Sequence, residues 1–388
     1  MPYITGEAAG HLDLLDKLRQ FVCGHGLVDG ITFSGAGAGT LGPNSGDPFT
    51  VGRPGAPTET WTVECPQAYD GGTETPAEFS VTGSVSGAQD PATAGEDYDN
   101  GFVGFLIEDV EGDRFQVGDT FTIEIVEAPM AEAGQQWQQL RWRENPADEG
   151  EWEWIARGPG LDGNQEIFVG VRSFSSVSGD YYNLEIRGYT GFVESDAWEN
   201  QPGASPSSSI LLFQSGIPFW FVANGRRFYG AARVSTIYAS WYGGFFLPYA
   251  TPNQYPYPIT VGGMYAGRAN VRWSNQTTSH RFPWRGPHGA SGNRLLVRFI
   301  DGSWNQYSVF PWGGGSTYRP LNQDQDYAVY PLVLYNNDNI FGEMDGVFHV
   351  TGFANSVEDI IPRNGVDHVM IQDVFRTGFN DYVALALE

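Results

Sequence analysis

The chain has 388 residues, 46 acids against 21 bases for a formal charge of −25, and aromatic side chains at 14%. That length holds two or three domains with their own cores, that composition is too aromatic for a disordered chain, and that charge argues against general nucleic-acid binding, which needs a basic domain. No run of 18 apolar residues occurs, so no membrane-spanning helix is expected, and Met1-Pro2-Tyr3-Ile4-Thr5-Gly6 lacks the basic-then-apolar pattern of a secretory leader.

The helical signal lies at residues 7–23, where Leu12, Leu15, Leu18 and Val22 recur at steps of three and four, with Leu14 and Phe21 widening the stripe. His11, Asp13, Asp16, Lys17, Arg19 and Gln20 fall on the other side, and Gly24 and Gly26 stop the helix. Cys23 and Cys65 are too few for a disulfide framework and read as two buried thiols. Residues 27–60, centred on Gly35-Ala36-Gly37-Ala38-Gly39, read as a linker or long loop, so residues 1–57 form a helix plus linker.

Period-two runs follow: Trp61-Thr62-Val63-Glu64-Cys65, Glu78-Phe79-Ser80-Val81-Thr82, and Phe121-Thr122-Ile123-Glu124-Ile125 after a Gly-Asp turn. They predict a small β-sandwich over 58–130. A Trp-rich β domain is expected over 131–204, ending at the Pro/Ser-rich stretch that starts at Gln201, and an aromatic β domain over 205–388. The whole reads as mainly β, multidomain and sandwich-like, with one short N-terminal helix.

Residues 201–300 contain no Asp or Glu but nine arginines, and they are dense in aromatics. Such polarity suggests opposite potentials that meet within the fold or between copies. Within it, Phe219-Trp220-Phe221-Val222-Ala223-Asn224-Gly225-Arg226-Arg227-Phe228-Tyr229 predicts a hairpin, because both residues of Asn-Gly accept positive φ. Residues 248–258 carry four prolines among tyrosines and must be irregular or extended.

Binding candidates are Tyr249, Tyr255 and Tyr257 in that loop, and His280, Arg281, Trp284, Arg285 and His288 in the next. Aromatic faces stack on sugar rings and arginine forks hold anionic groups, which suits an anionic bacterial glycan. The preferred alternative is that these aromatics fill a core or subunit interface while the arginines pair with acids of the N-terminal half. His280 and His288 alone do not make a metal site. Two acidic turns, Glu96–Gly101 and Asn322–Asp326, fall short of a calcium loop. The sequence has no Gly-x-Ser-x-Gly, His-Glu-x-x-His or phosphate-cradling Gly-Lys-Ser/Thr motif, so no enzyme and no cofactor are expected.

Several stretches resemble a family of tailed-bacteriophage virion proteins of the tail or baseplate: His11–Arg19, Ile217–Arg227, Gly244–Pro258, Phe341–Val347 and Val374–Tyr382. The resemblance implies a structural virion component, oligomeric and in contact with other tail or baseplate proteins, and it carries over no catalytic residues. The alternative is a receptor-binding protein that recognises host surface polysaccharide.

Overall fold

The computed structural model describes residues 3–45, 51–69, 71, 75–109, 114–127, 135–144, 151–160, 166–275, 280, 282–284, 295–311, 329–336, 339–352, 355–378 and 381–388. The protein is mainly β with one α-helix among these residues, as the composition and periodicity imply. The chain divides into two compact units, residues 23–130 and residues 1–22 together with 131–388.

The large unit begins with β1 (Tyr3–Ala8) and α1 (His11–Val22). Residues 7 and 8, expected to be helical, belong instead to β1, which pairs antiparallel with a strand some 200 positions later, Ile4 opposite Phe221. The side of α1 expected to face water is covered. His11, Lys17, Arg19 and Gln20 are all buried, and the last three are accommodated by hydrogen-bond partners. Lys17 Nζ donates to the Glu7 carbonyl at 3.0 Å and lies 3.2 Å from Asp13, while the Arg19 guanidinium sits 4.0 Å above the Trp142 ring. A heptad-like stripe identifies the most apolar face of a helix but cannot tell that the remainder is also packed.

His11 is the exception in this set, because its ring lies edge-on to Tyr182 at 5.6 Å and its Nε2 has no hydrogen-bond partner. Burial lowers its pKa from 6.5 to about 4. The depressed value means the unfolded chain binds the proton first, so the stability is complete above pH 6.5 and is lost as pH falls toward 4. Guanidinium titrations should show the large unit losing about 2 kcal/mol between pH 7 and pH 5. His11→Phe should flatten that slope, and an unchanged slope would assign it to other groups.

The smaller unit is a sandwich of β2 (Leu27–Ser34), β3 (Gly39–Gly42), β4 (Glu59–Gln67), β5 (Glu78–Gly83), β6 (Gly87–Ala88), β7 (Ala92–Thr93), β8 (Asp97–Asp99), β9 (Gly104–Asp109) and β10 (Thr120–Val126). One sheet runs β2-β10-β4-β5-β6, with β7 on β5, and the other runs β3-β9-β8. Strict alternation in β4 and β5 places Trp61, Val63, Phe79 and Val81 in a core with Phe105, Phe115, Phe121 and Ile123, as period-two patterning requires.

The sandwich starts earlier than expected, because residues 27–42 are two strands and not a linker. The glycine run joining them is pinned: buried Asp119 accepts from Ala36 N at 2.8 Å and Gly37 N at 3.1 Å. A Cβ on Gly35 or Gly37 would collide with that carboxylate and one on Gly39 with Phe115. Glycine is therefore required here by close approach, whereas composition alone suggested flexibility.

The rest of the large unit comprises β11 (Gln138–Arg143), β12 (Glu153–Gly158), β13 (Ile167–Ser176), β14 (Tyr181–Tyr189), β15 (Ser208–Leu212), β16 (Ile217–Asn224), β17 (Arg227–Val234), β18 (Ile237–Phe245), β19 (Leu247–Pro248), β20 (Ile259–Gly262) and β21 (Tyr265–Ala266). After these come β22 (Leu296–Arg298), β23 (Trp304–Gln306), β24 (Ser308–Phe310), β25 (Tyr330–Tyr335), β26 (Ile340–Val350), β27 (Ile360–Arg363), β28 (Val366–Gln372) and β29 (Tyr382–Ala386). The three sheets are β11-β12-β13-β14-β15-β21, β1-β16-β17-β18-β20-β22-β23, and β24-β25-β26-β29-β28-β27 with β19 on β26. The boundary expected near residue 204 does not separate domains: β15 lies on β14, Ile210 opposite Leu184, so the Pro/Ser stretch is a loop within one sheet.

The sheet containing β16, β17 and β18 is the middle layer. Phe228 of β17 packs on Trp137 and Trp154 of the first sheet's side, at 5.2 and 5.7 Å. The next residue, Tyr229, joins Tyr242 in a core with Val347, Val369 and Leu385 of the third sheet. Every residue of β18 is buried. A strand covered on both faces reads as a continuous apolar run, and carboxylates have no place in it. That accounts for the absence of acids across these strands.

The expected hairpin is present, with Phe221 opposite Gly230. Its two-residue loop is Gly225-Arg226, one position later than Asn-Gly implies, and neither residue has positive φ. The asparagine acts by capping: Asn224 Oδ1 accepts from the backbone N of Arg226 and of Arg227, both at 3.0 Å.

Candidate functional site

The structure separates the five candidate residues that it describes. Trp284 is fully buried with its ring 5.4 Å from Phe282, and Tyr255 is buried edge-on to Phe246 at 5.6 Å. His280 is buried with its ring 5.1 Å from Tyr265, and Tyr257 is half-buried beneath the Arg298 guanidinium at 5.3 Å. Trp284, Tyr255 and His280 are thus interior and not an exposed glycan grip. Arg281, Arg285 and His288 lie outside the described residues, as does the acidic turn at 322–326. Tyr249 alone of the described candidates is openly displayed, at 59% exposure.

Five of the nine arginines of the acid-free segment meet carboxylates from elsewhere in the large unit. Arg226 and Arg227 converge on Asp345 at 2.6 and 3.2 Å, Arg233 reaches Glu358 at 2.6 Å, Arg268 reaches Glu151 at 2.5 Å, and Arg272 reaches Asp180 at 2.8 Å. The polarity of the sequence is therefore neutralised within the unit at these positions, with acids drawn from both sides of the segment. What remains strongly charged is the small unit, where residues 23–130 hold 18 acids against two arginines, a formal −16 of the total −25. The other acidic turn, Glu96–Gly101, has a structural role, since Asp99 holds Arg53 at 2.9 Å and Asp97 accepts from Ser45 N at 2.7 Å.

The displayed Tyr249 belongs to a surface built by the third sheet. Val309, Leu332 and Leu334 point inward and are fully buried. The alternate residues Phe310, Val333, Tyr335 and Ile340 point outward, where a one-sided sheet normally carries polar groups, and Phe310 and Ile340 are 40% and 65% exposed. Register aligns them: Phe310 lies opposite Val333, Val333 opposite Glu343, and Glu343 opposite Leu247. Tyr249, just beyond β19, closes one side by donating its hydroxyl to Glu343 Oε1 at 2.6 Å. That hydrogen bond pushes the phenol pKa up to about 12. The result is an open depression of about 490 Å³ lined by Tyr249, Phe310, Val333, Tyr335 and Ile340.

Tyr330–Tyr335 carries no polar alternation in the sequence. That both faces of this strand are apolar was visible, and it is the signal that could have identified the surface.

A second exposed apolar feature lies in the small unit. β2 ends its sheet, and Ile31 and Phe33 face the core beside Ile123 and Phe121, yet they stay 38% and 36% exposed because no described strand lies beyond them. The described residues contain no cluster of His, Cys, Asp and Glu able to hold a metal, and no helix long and apolar enough to cross a membrane. No protein-family model and no curated protein matches the sequence.

Proposed function

We propose that the chain is a non-enzymatic structural component of a tailed-bacteriophage virion, in the tail or baseplate, that assembles with copies of itself through the edge strand β2. The observation that carries the reading is the open core at Ile31 and Phe33. An added strand from a neighbouring copy would extend the sheet with backbone hydrogen bonds and cover both side chains. The resemblance of the opening helix, the β16–β17 hairpin and the C-terminal stretches to virion proteins supports the setting.

Assembly through this edge differs in its salt response from assembly by opposite charges. A unit carrying −16 repels its copies, so raising salt should promote association by screening. Sedimentation across protein concentration and salt should show oligomers that persist or grow at high salt. Ile31→Lys or Phe33→Lys, each an inward charge on an edge strand, should leave monomers. A wild-type monomer at every concentration removes the assembly role from β2. Peptide mass spectrometry of purified particles tests the setting, and absence of the protein from particles would remove the virion assignment.

A further inference from the structure

We infer that the depression lined by Tyr249, Phe310, Val333, Tyr335 and Ile340 is a binding subsite for an uncharged saccharide, with Glu343 as its hydrogen-bond acceptor. This surface belongs to the large unit and is independent of the β2 edge.

The shape and the chemistry point the same way. A depression of about 490 Å³ is the size of a small-ligand site and suits one or two sugar rings. Aromatic rings provide flat apolar faces for the C–H faces of a pyranose, and tyrosine adds a polar edge at the rim. The Tyr249 hydroxyl is already committed to Glu343 Oε1, which fixes the ring at the mouth before any ligand arrives. A fixed ring loses little freedom on binding.

Glu343 decides between ligand classes. Its side chain stands in the outward row between Val333 and Leu247, only partly buried, and spends one oxygen on Tyr249. An apolar protein surface closing over this row would strip water from a carboxylate with no basic residue among the lining side chains, which is costly. Sugar hydroxyls are hydrogen-bond donors and would replace that water directly. An anionic sugar would meet the carboxylate with no arginine among the described lining residues to offset it. The expectation of an anionic glycan held by arginine forks therefore gives way, at this surface, to an uncharged one.

The test uses the full chain and saturation-transfer NMR with titration against maltose, cellobiose, N,N′-diacetylchitobiose and a galactose disaccharide, with a glucuronate-containing disaccharide as the anionic control. At least one neutral probe should bind, and the anionic control should bind more weakly. Tyr249→Ala and Tyr335→Ala should each weaken binding about tenfold or more, Glu343→Gln should weaken it without changing the far-ultraviolet dichroism, and Tyr249→Phe, which keeps the stacking face but releases the ring from Glu343, should weaken it less than Tyr249→Ala. No binding by any neutral probe at millimolar concentration overturns the inference. So does binding that all four variants leave unchanged, or self-association of the wild type that Ile340→Ser abolishes, which would make this face a protein interface. Sedimentation of the Ile31→Lys variant is unaffected by any of these outcomes, so failure here and failure of the β2 edge are separately visible.

Discussion

Asp345→Asn should destabilise the large unit by about 3–5 kcal/mol, the usual consequence of leaving a buried charge without its partner. Arg227 is fully buried at the start of β17, its guanidinium 4.6 Å from the centre of the Tyr229 ring, and Asp345 is itself buried between Arg226 and Arg227. The chain makes room for this cluster by placing a glycine next to the aspartate. Gly346 has φ +74°, and a Cβ there would stand 2.5 Å from the Tyr229 hydroxyl. Urea titration at neutral pH measures the effect, and a loss below about 1 kcal/mol would mean that water reaches Arg227 and the pair contributes little.

The same pair has a defined pH signature. Burial on its own would raise the Asp345 carboxyl, but Arg227 and Arg226 outweigh it and hold the pKa below the ordinary carboxylate value. Since the folded value is the depressed one, the stabilisation is complete above an unfolded pKa of about 3.9 and disappears only as pH falls through the folded value. It lies below the window assigned to His11, so acid unfolding should show two separable limbs. His11→Phe should shrink the upper limb, to which buried His368 contributes in the same direction, and Asp345→Asn the lower, to which Glu199 also contributes.

Trp284→Ala is the second large effect, at about 3–5 kcal/mol for emptying a fully buried indole site. The indole lies in one core with Tyr242, Val297, Val309 and Leu385, which belong to the second and third sheets. The expected result is a fall in melting temperature on the order of 10 °C, against almost no change for Tyr249→Ala on the surface. Saccharide affinity measured well below the melting temperature should be retained by Trp284→Ala and lost by Tyr249→Ala. The reverse pattern would return the glycan site to the 280–288 loop.

The contrast between these two aromatics shows where the sequence is informative. Alternation in Trp61–Cys65 or Phe121–Ile125 specifies a one-sided strand without reference to anything distant, and those strands stand where the pattern puts them. The acid-free segment was just as visible, but its meaning depended on layers contributed by residues 138–189 and 330–386. Once β16–β18 are the middle of three sheets, the missing acids follow from burial, and the arginines of this stretch, Arg226, Arg227 and Arg233, each reach a carboxylate from beyond the segment. Tyr249 and Tyr255 are six positions apart in one Pro/Tyr loop, and no local pattern distinguishes the exposed ring from the buried one. Strand β1 was illegible for a similar reason: Tyr3–Ala8 has little alternation of its own and is a strand because β16 offers it an edge.

That long-range pairing orders events during synthesis. The chain leaves the large unit after Val22 and re-enters it near Trp137, whose backbone N donates to the Val22 carbonyl at 3.3 Å. All strand partners of residues 27–126 lie within that interval, so the acidic sandwich can fold as soon as it emerges from the ribosome. β1 and α1 emerge well before β16 yet cannot be seated until β16 has been made, a wait of roughly 10–40 s at about 5–20 residues per second. The amphipathic helix is thus exposed throughout that wait, and a slowly translated or truncated chain would present its leucine stripe to chaperones while the inserted cassette is already native.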